Sequence, residues 1–242
     1  MNRRILYLIP LTLIVGLFFS FTQFKKEKRV LIFSKTAKYV HSSIPDGIAA
    51  IKQIGEKEGF IVDTTKDSTK FTKENLKKYA AIIFLSTTGN VLGNEEEKAF
   101  EEYIKKGGGF VGIHAASDTE YDWQWYGKFI GGYFENHPEE QNATINIIQA
   151  NHPATKGLPS TWTLKEEWYN FKNLNKENKV LITIDETTYK GGKNGANHPI
   201  SWYNEREGGR IFYTALGHRK ETYKEPLFLE HLKGGILYAM GK

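Results

Sequence analysis

Gly108-Gly109-Phe110-Val111-Gly112-Ile113-His114-Ala115-Ala116-Ser117-Asp118 is the stretch on which the fold turns. Phe110 to His114 reads as a short apolar strand, covered on both faces. Its end, Gly112-Ile113-His114-Ala115-Ala116, has the form of a nucleophile elbow, where a strand bends sharply into a helix. Small neighbours let such a bend close, and its central residue is strained by roughly 1–3 kcal/mol. Here that residue is a histidine. An imidazole in that place can act as general base, general acid or metal ligand, and is a poor choice for an acyl-enzyme. From these residues alone, an ordinary strand end with a hydrogen-bonded histidine reads equally well.

The pattern extends outward in both directions. Strands are expected at Arg29–Ser34, Phe60–Val62 and Tyr79–Ser86, the last almost wholly apolar. A helix over Ile44–Glu58 places Ile44, Ile48, Ile51 and Ile54 on one face, with Ser43 as N-cap, Pro45 in the first turn and Gly59 as the stop. A second helix over Glu95–Lys106 has Asn94 as its cap, an acidic start and a basic end, as the helix dipole favours. Downstream, strands are expected at Thr144–Gln149, Val180–Ile184, Ile200–Tyr203 and Arg210–Leu216, before an amphipathic helix over Pro226–Met240. Alternating strands and helices predict an α/β fold, three-layered and doubly wound around a mostly parallel sheet. The β-rich stretch near 140–205 breaks the alternation. It predicts antiparallel strands at one edge, or an inserted excursion.

The chain has 242 residues, and the first 28 differ from the rest. Arg3 and Arg4 precede an uncharged run from Ile5 to Phe24, which as a helix would be about 30 Å long, enough to cross a bilayer core. Residues 1–28 are therefore expected to be a signal peptide or membrane anchor, and 29–242 one domain, exported to the periplasm or another extracytoplasmic space. The membrane is a partner only if that segment stays uncleaved. Of 33 basic and 28 acidic residues, Arg3, Arg4, Lys25, Lys26, Lys28 and Arg29 stand against Glu27 in the first 29 positions, so the net +5 belongs to the tail. A balanced domain argues against nucleic acid as a partner. With no cysteine, disulfides, thiolate metal sites and cysteine nucleophiles are excluded.

In an open parallel sheet, ligands bind beyond the carboxyl ends of the strands. His41, Asn90, His114 and His218 all follow strands expected in this sheet. Asp118 follows the elbow, where it could orient the ring or bind a sugar hydroxyl, or cap a helix. Glu166-Glu167-Trp168-Tyr169 sets carboxylates beside two rings, a composition that suits carbohydrate as well as a packed strand. His137, His152 and His198 read as structural, and His231 as a surface position of the last helix. His41, His114 and His218 could offer three nitrogens, but their spacing is too wide to assign a metal. The cofactor is left open.

Several stretches in this order resemble the ThuA-like family, named for trehalose utilisation. They are Tyr39-Val-His41-Ser-Ser-Ile-Pro45, Gly108 to Asp118, Gly131-Gly-Tyr-Phe-Glu-Asn-His137-Pro138, and His152-Pro-Ala-Thr-Lys-Gly-Leu-Pro159. The series continues with Glu167-Trp-Tyr-Asn-Phe171, His198-Pro-Ile-Ser-Trp202 and Gly209-Arg-Ile-Phe-Tyr-Thr-Ala-Leu-Gly-His218. The resemblance implies a flavodoxin-like, class I glutamine amidotransferase-like fold. In those amidotransferases the elbow holds cysteine. With His114 in its place, glutaminase chemistry has no nucleophile. His218 resembles their late histidine, but His218-Arg219-Lys220-Glu221 lacks the H-x-E continuation.

The resemblance implies a role in carbohydrate metabolism, on a sugar or 3-keto glycoside as small-molecule partner. His114, His218, Glu167 and His41 are the expected catalytic set, with Asp118, Tyr169, Trp168 and Asn90 binding substrate. The alternative is a carbohydrate-binding or accessory protein without turnover.

Overall fold

The computed structural model describes residues 27–242. The expected leader or anchor, with its run from Ile5 to Phe24, lies outside the described residues but for its last two positions. Among the described residues, no helix is long and apolar enough to cross a membrane.

Eleven strands and five α-helices follow in order: β1 (Arg29–Phe33), α1 (Ile44–Glu58), β2 (Ile61–Thr65), α2 (Lys73–Leu76), β3 (Ala81–Leu85), α3 (Asn94–Lys105), β4 (Gly109–Ile113), α4 (Gln124–Ile130), β5 (Tyr133–Asn136), β6 (Gln141–Ile147), β7 (Thr161–Glu166), β8 (Asn170–Lys172), β9 (Lys179–Ile184), β10 (Pro199–Asn204), β11 (Arg210–Thr214) and α5 (Pro226–Ala239). Nine strands form one sheet in the order β2-β1-β3-β4-β11-β10-β9-β6-β7, and β5 pairs with β8 apart from it. The half from β2 to β11 is parallel. The half from β10 to β7 is antiparallel, as the break in alternation predicted.

Side-chain alternation builds the layers. In β3, Leu85 faces the α1 side, where a Cβ on Gly47 would lie 3.0 Å from it. Its neighbour Phe84 faces the other way and stacks on Phe100 of α3, with ring centroids 5.5 Å apart. Phe129 of α4 meets Phe100 and Phe110 on that same side. All five residues of β3 and of β4 are buried, which explains their unbroken apolar sequences. β7 instead alternates exposed and buried, as one covered face requires.

Some local expectations change. Ser43 holds the N-cap position of α1, but its Oγ makes no cap hydrogen bond and donates instead to the carbonyl of Gly217, 3.0 Å away. Gly93, not Asn94, is the N-cap of α3, and Glu96 accepts from its N–H. α2, α4 and β5 lie where no element was expected, and β7 and β8 fall in the β-rich stretch near 140–205 at places where no strand had been given bounds. His231 is fully buried, not on the surface. The reason is α5 itself, which packs on Phe212 of β11 through Gly235 and under the Pro153–Ala154 backbone through Gly234, turning that face inward.

Candidate functional site

β4 ends at Ile113, and His114 follows in the left-handed region, at φ 51°. A single 3-10 segment, His114–Asp118, continues the chain. This is the bend the sequence predicted, and packed groups hold it. Tyr213 Oη donates to the His114 carbonyl at 2.9 Å and meets Ser117 Oγ at 2.8 Å. A larger residue at Gly112 would crowd the bend, since a Cβ there would lie 3.0 Å from Tyr213 and 3.2 Å from Ala116.

The His114 ring is fully buried and oriented. Its Nδ1 lies 2.8 Å from the carbonyl of Ala215, which can only accept, so Nδ1 carries the hydrogen. In the neutral ring, Nε2 then presents a lone pair. Around it stand Tyr169 Oη at 2.9 Å, His218 Nδ1 at 3.2 Å and Glu167 Oε2 at 3.3 Å. His218 Nδ1 is itself 3.1 Å from Glu167 Oε2. His41 packs edge-on to His114 and His218, with centroids 4.7 and 5.3 Å away. One ligand atom from each of His41, His114, Glu167 and His218 lies within 4.8 Å of the others. Residues from four distant parts of the chain thus converge at the carboxyl end of the sheet.

The electrostatics follow from burial and pairing. Burial, helped by the charges of His114 and His218, pushes His41 down to about 2 and keeps it neutral. Burial alone would raise Glu167. Charge attraction from His114 and His218, with hydrogen bonds from both when their rings are protonated, outweighs it and holds the carboxyl below the usual carboxylate range. Burial also opposes charge on His218, but the hydrogen bond and charge of Glu167, with Glu166 and Glu140 behind it, raise it above the ordinary imidazole value.

Three residues not selected from the sequence complete the site. Glu166, at the end of β7, is fully buried. Its carboxylate accepts from Gly217 N (3.0 Å), Thr222 Oγ1 (2.6 Å) and Glu167 N (2.9 Å), fixing the loop that carries His218. His137 Nδ1 stands 3.2 Å from Glu167 Oε1, and Glu140 Oε1 lies 3.2 Å from His218 Nε2. The adjacent Glu166-Glu167 pair was the only sequence signal for Glu166. His137 was signalled only by the Gly131–Pro138 stretch of the family resemblance, and nothing pointed to Glu140; both lie in the loop between β5 and β6.

Beside the cluster is a cleft of about 680 Å³, lined by Lys38, Asn90, Asp118, Tyr121, Phe134 and Lys172 among others. Phe134 links the two, its ring 4.3 Å from Tyr169 and 5.9 Å from His137. Asp118 accepts from Tyr121 Oη at 2.8 Å, and Asn90 donates to Asp122 at 2.5 Å. Tyr169 joins the cluster, but Trp168 does not. Its side chain is buried in the core, and its Nε1 donates to the carbonyl of Gln141. His198 sits behind Tyr169, 2.8 Å from that residue's carbonyl and 2.8 Å from Glu186.

A family model described as ThuA, trehalose utilisation, matches residues 29–239. Among solved structures, a ThuA-like protein from Bacteroides uniformis is 27% identical, with a TM-score of 0.75 over 88% of this chain and 92% of that one. A ThuA-like protein from Parabacteroides merdae is 21% identical, with a TM-score of 0.72 over 90% and 91% of the two chains. A GMP synthase-like protein from Thermoplasma acidophilum shares the fold at 13% identity, with a TM-score of 0.51 over 88% and 96%. No curated protein matches.

Proposed function

This chain belongs to the ThuA trehalose-utilisation family, and from that premise we propose that it is an enzyme acting on a sugar or 3-keto glycoside by acid–base chemistry. One observation carries the reading: three imidazoles and one carboxylate converge within 4.8 Å beside an open cleft. A protein that only binds sugar needs an aromatic platform and hydroxyl partners. It does not need a low-pKa carboxylate locked against a high-pKa imidazole, an arrangement typical of proton transfer.

A 3-keto group acidifies the neighbouring C–H. A base removes that proton, the electron pair forms a C=C bond, and the glycosidic oxygen one carbon further leaves with a proton from an acid. His114, at the bend, could serve as a base, but its ring has no exposed surface. Glu167 and His218 keep 9% and 16% of their side chains exposed. We therefore give proton removal to Glu167, with the half-exposed His137 as its route to solvent. His218 supplies the proton to the sugar's oxygen. His114 and Tyr169 hold the pair in place. Asp118 and Asn90 line the cleft in which the hydroxyls of the sugar would lie. The basic start and apolar run of the N-terminal segment support an extracytoplasmic site of action.

The test is a panel of oxidised and ordinary glycosides. Turnover of a 3-keto glycoside is expected, with kcat lowered about 10²–10⁴-fold in Glu167→Gln. Turnover of no glycoside, or full turnover by that variant, would overturn the proposal.

A further inference from the structure

The donor atoms around His114 are spaced as a metal would space them. His114 Nε2, His218 Nδ1 and Glu167 Oε2 form a triangle with edges of 3.1, 3.2 and 3.3 Å. With metal–ligand bonds near 2.0 Å, neighbouring ligands of a tetrahedral site stand about 3.3 Å apart. The triangle has the size of one face of that tetrahedron. His41 brings a fourth donor, and the four lie within 4.8 Å of one another. Among the described residues nothing hydrogen-bonds to the His41 ring, and its Nδ1 is buried without a partner. Its side chain is only 5% exposed, so an unpaired ring nitrogen there is costly unless something fills the site.

The outer contacts agree. Histidines that bind metals donate their far N–H to a carbonyl or carboxylate, which aims the other lone pair at the ion. His114 Nδ1 donates to the Ala215 carbonyl at 2.8 Å, and His218 Nε2 faces Glu140 Oε1 at 3.2 Å. Glu167 Oε1 is turned away toward His137 at 3.2 Å, leaving Oε2 for the centre.

We infer that His41, His114, His218 and Glu167 bind one divalent first-row transition metal of the Zn²⁺ or Mn²⁺ class. Three imidazoles and one carboxylate favour such ions over Ca²⁺ and Mg²⁺, which take oxygen ligands. The cation replaces the proton that His218 otherwise shares with Glu167. Its binding stands on the donor geometry, and only its catalytic role rests on the sugar reading. There it would draw electron density from the sugar's oxygen in place of the His218 proton, while Glu167 keeps Oε1 toward His137.

The full chain, without a histidine tag, is stripped with a chelator and titrated with Zn²⁺, Mn²⁺ and Ca²⁺. Binding is followed by calorimetry and by Tm. One equivalent of Zn²⁺ or Mn²⁺ and a raised Tm are expected, with no response to Ca²⁺. His41→Ala should weaken binding at least 10-fold, and Glu140→Gln, at a half-exposed position outside the core, about 10–100-fold. Absence of stoichiometric binding, or unchanged affinity in both variants, would overturn the inference. Bound metal without turnover of any glycoside would sink the sugar reading alone. Turnover by a chain that binds no metal would sink the metal alone.

Discussion

Glu166 has no exposed surface, yet four hydrogen-bond donors depend on it, from Gly217, Arg219, Thr222 and Glu167. Replacing it with alanine strands the Gly217 N–H and the Thr222 hydroxyl in the interior. Each buried group left unpaired costs about 1–3 kcal/mol. Glu166→Ala should therefore lose roughly 2–4 kcal/mol in urea unfolding, and should also lower kcat because the His218 loop loses its anchor. Gly217 shows how tightly that loop is built: it takes φ 114°, and a Cβ there would meet Tyr223 Oη at 2.7 Å. Tyr169→Phe is the contrasting case. It removes one hydroxyl facing His114 Nε2 and leaves the ring packing intact. Stability should fall by only about 1 kcal/mol, while kcat falls more steeply. Equal loss of stability in the two variants would contradict this division between anchor and positioning group.

α5 is where the burial of a histidine and two glycines can be tested together. Gly234→Ala gains about 1 kcal/mol of helix propensity. The new Cβ, however, would lie 2.0 Å from the Pro153 carbonyl, and backbone cannot move away cheaply. Overpacking of this kind costs about 1–3 kcal/mol, so the clash wins and the variant should unfold at lower urea. His231 in the same helix is held down to about 4, chiefly by burial. In the unfolded chain it titrates near 6.5. Between those values the unfolded chain binds the extra proton. Its contribution is therefore complete above about pH 6.5 and is lost as pH falls toward 4, at up to about 1.4 kcal/mol per pH unit. Urea melts at pH 7.5, 6 and 5 should show a shallower loss for His231→Gln than for the natural chain. The depth of α5 was not legible in its sequence, because one histidine among Leu and Gly reads the same at a surface and at a seam. The parallel strands were legible, since unbroken runs such as Ala81–Leu85 have no polar face to leave in water. β7 was missed because Thr161-Trp-Thr-Leu-Lys-Glu166 carries only a weak alternation. The five residues of the elbow were compatible with the bend, because small flanking side chains are a backbone requirement, but they fitted an ordinary strand end equally well. His137 and Glu140 could not be read, because their role depends on which distant carboxylate and imidazole the fold brings to them.

At the scale of the whole molecule, the site belongs to neither half of the sheet. The parallel half supplies His41, His114 and His218 from the ends of β1, β4 and β11, while Glu166 and Glu167 come from the end of β7, the far edge strand of the antiparallel half. β7 lies four strands from β11 in the sheet order, and Glu166 still reaches Gly217 at 3.0 Å. Ser43 closes the same loop from the α1 side, donating to the Gly217 carbonyl. A chain of this size could unfold in parts, since two-state behaviour is usual only below about 150 residues. The shared loop argues against that here: opening either half exposes the Glu166 carboxylate and removes its bonds from Gly217, Arg219 and Thr222 at once. Far-UV circular dichroism and tryptophan fluorescence should therefore give one coincident urea transition in the natural chain. Trp162, Trp168 and Trp202 report on the antiparallel half, and Trp123 and Trp125 on the helical face near α3. In Glu166→Ala the link is cut, and the two signals should separate, fluorescence changing first as the antiparallel half loosens. Separate transitions in the natural chain would mean that the halves are held together by something other than the ligand-bearing loop.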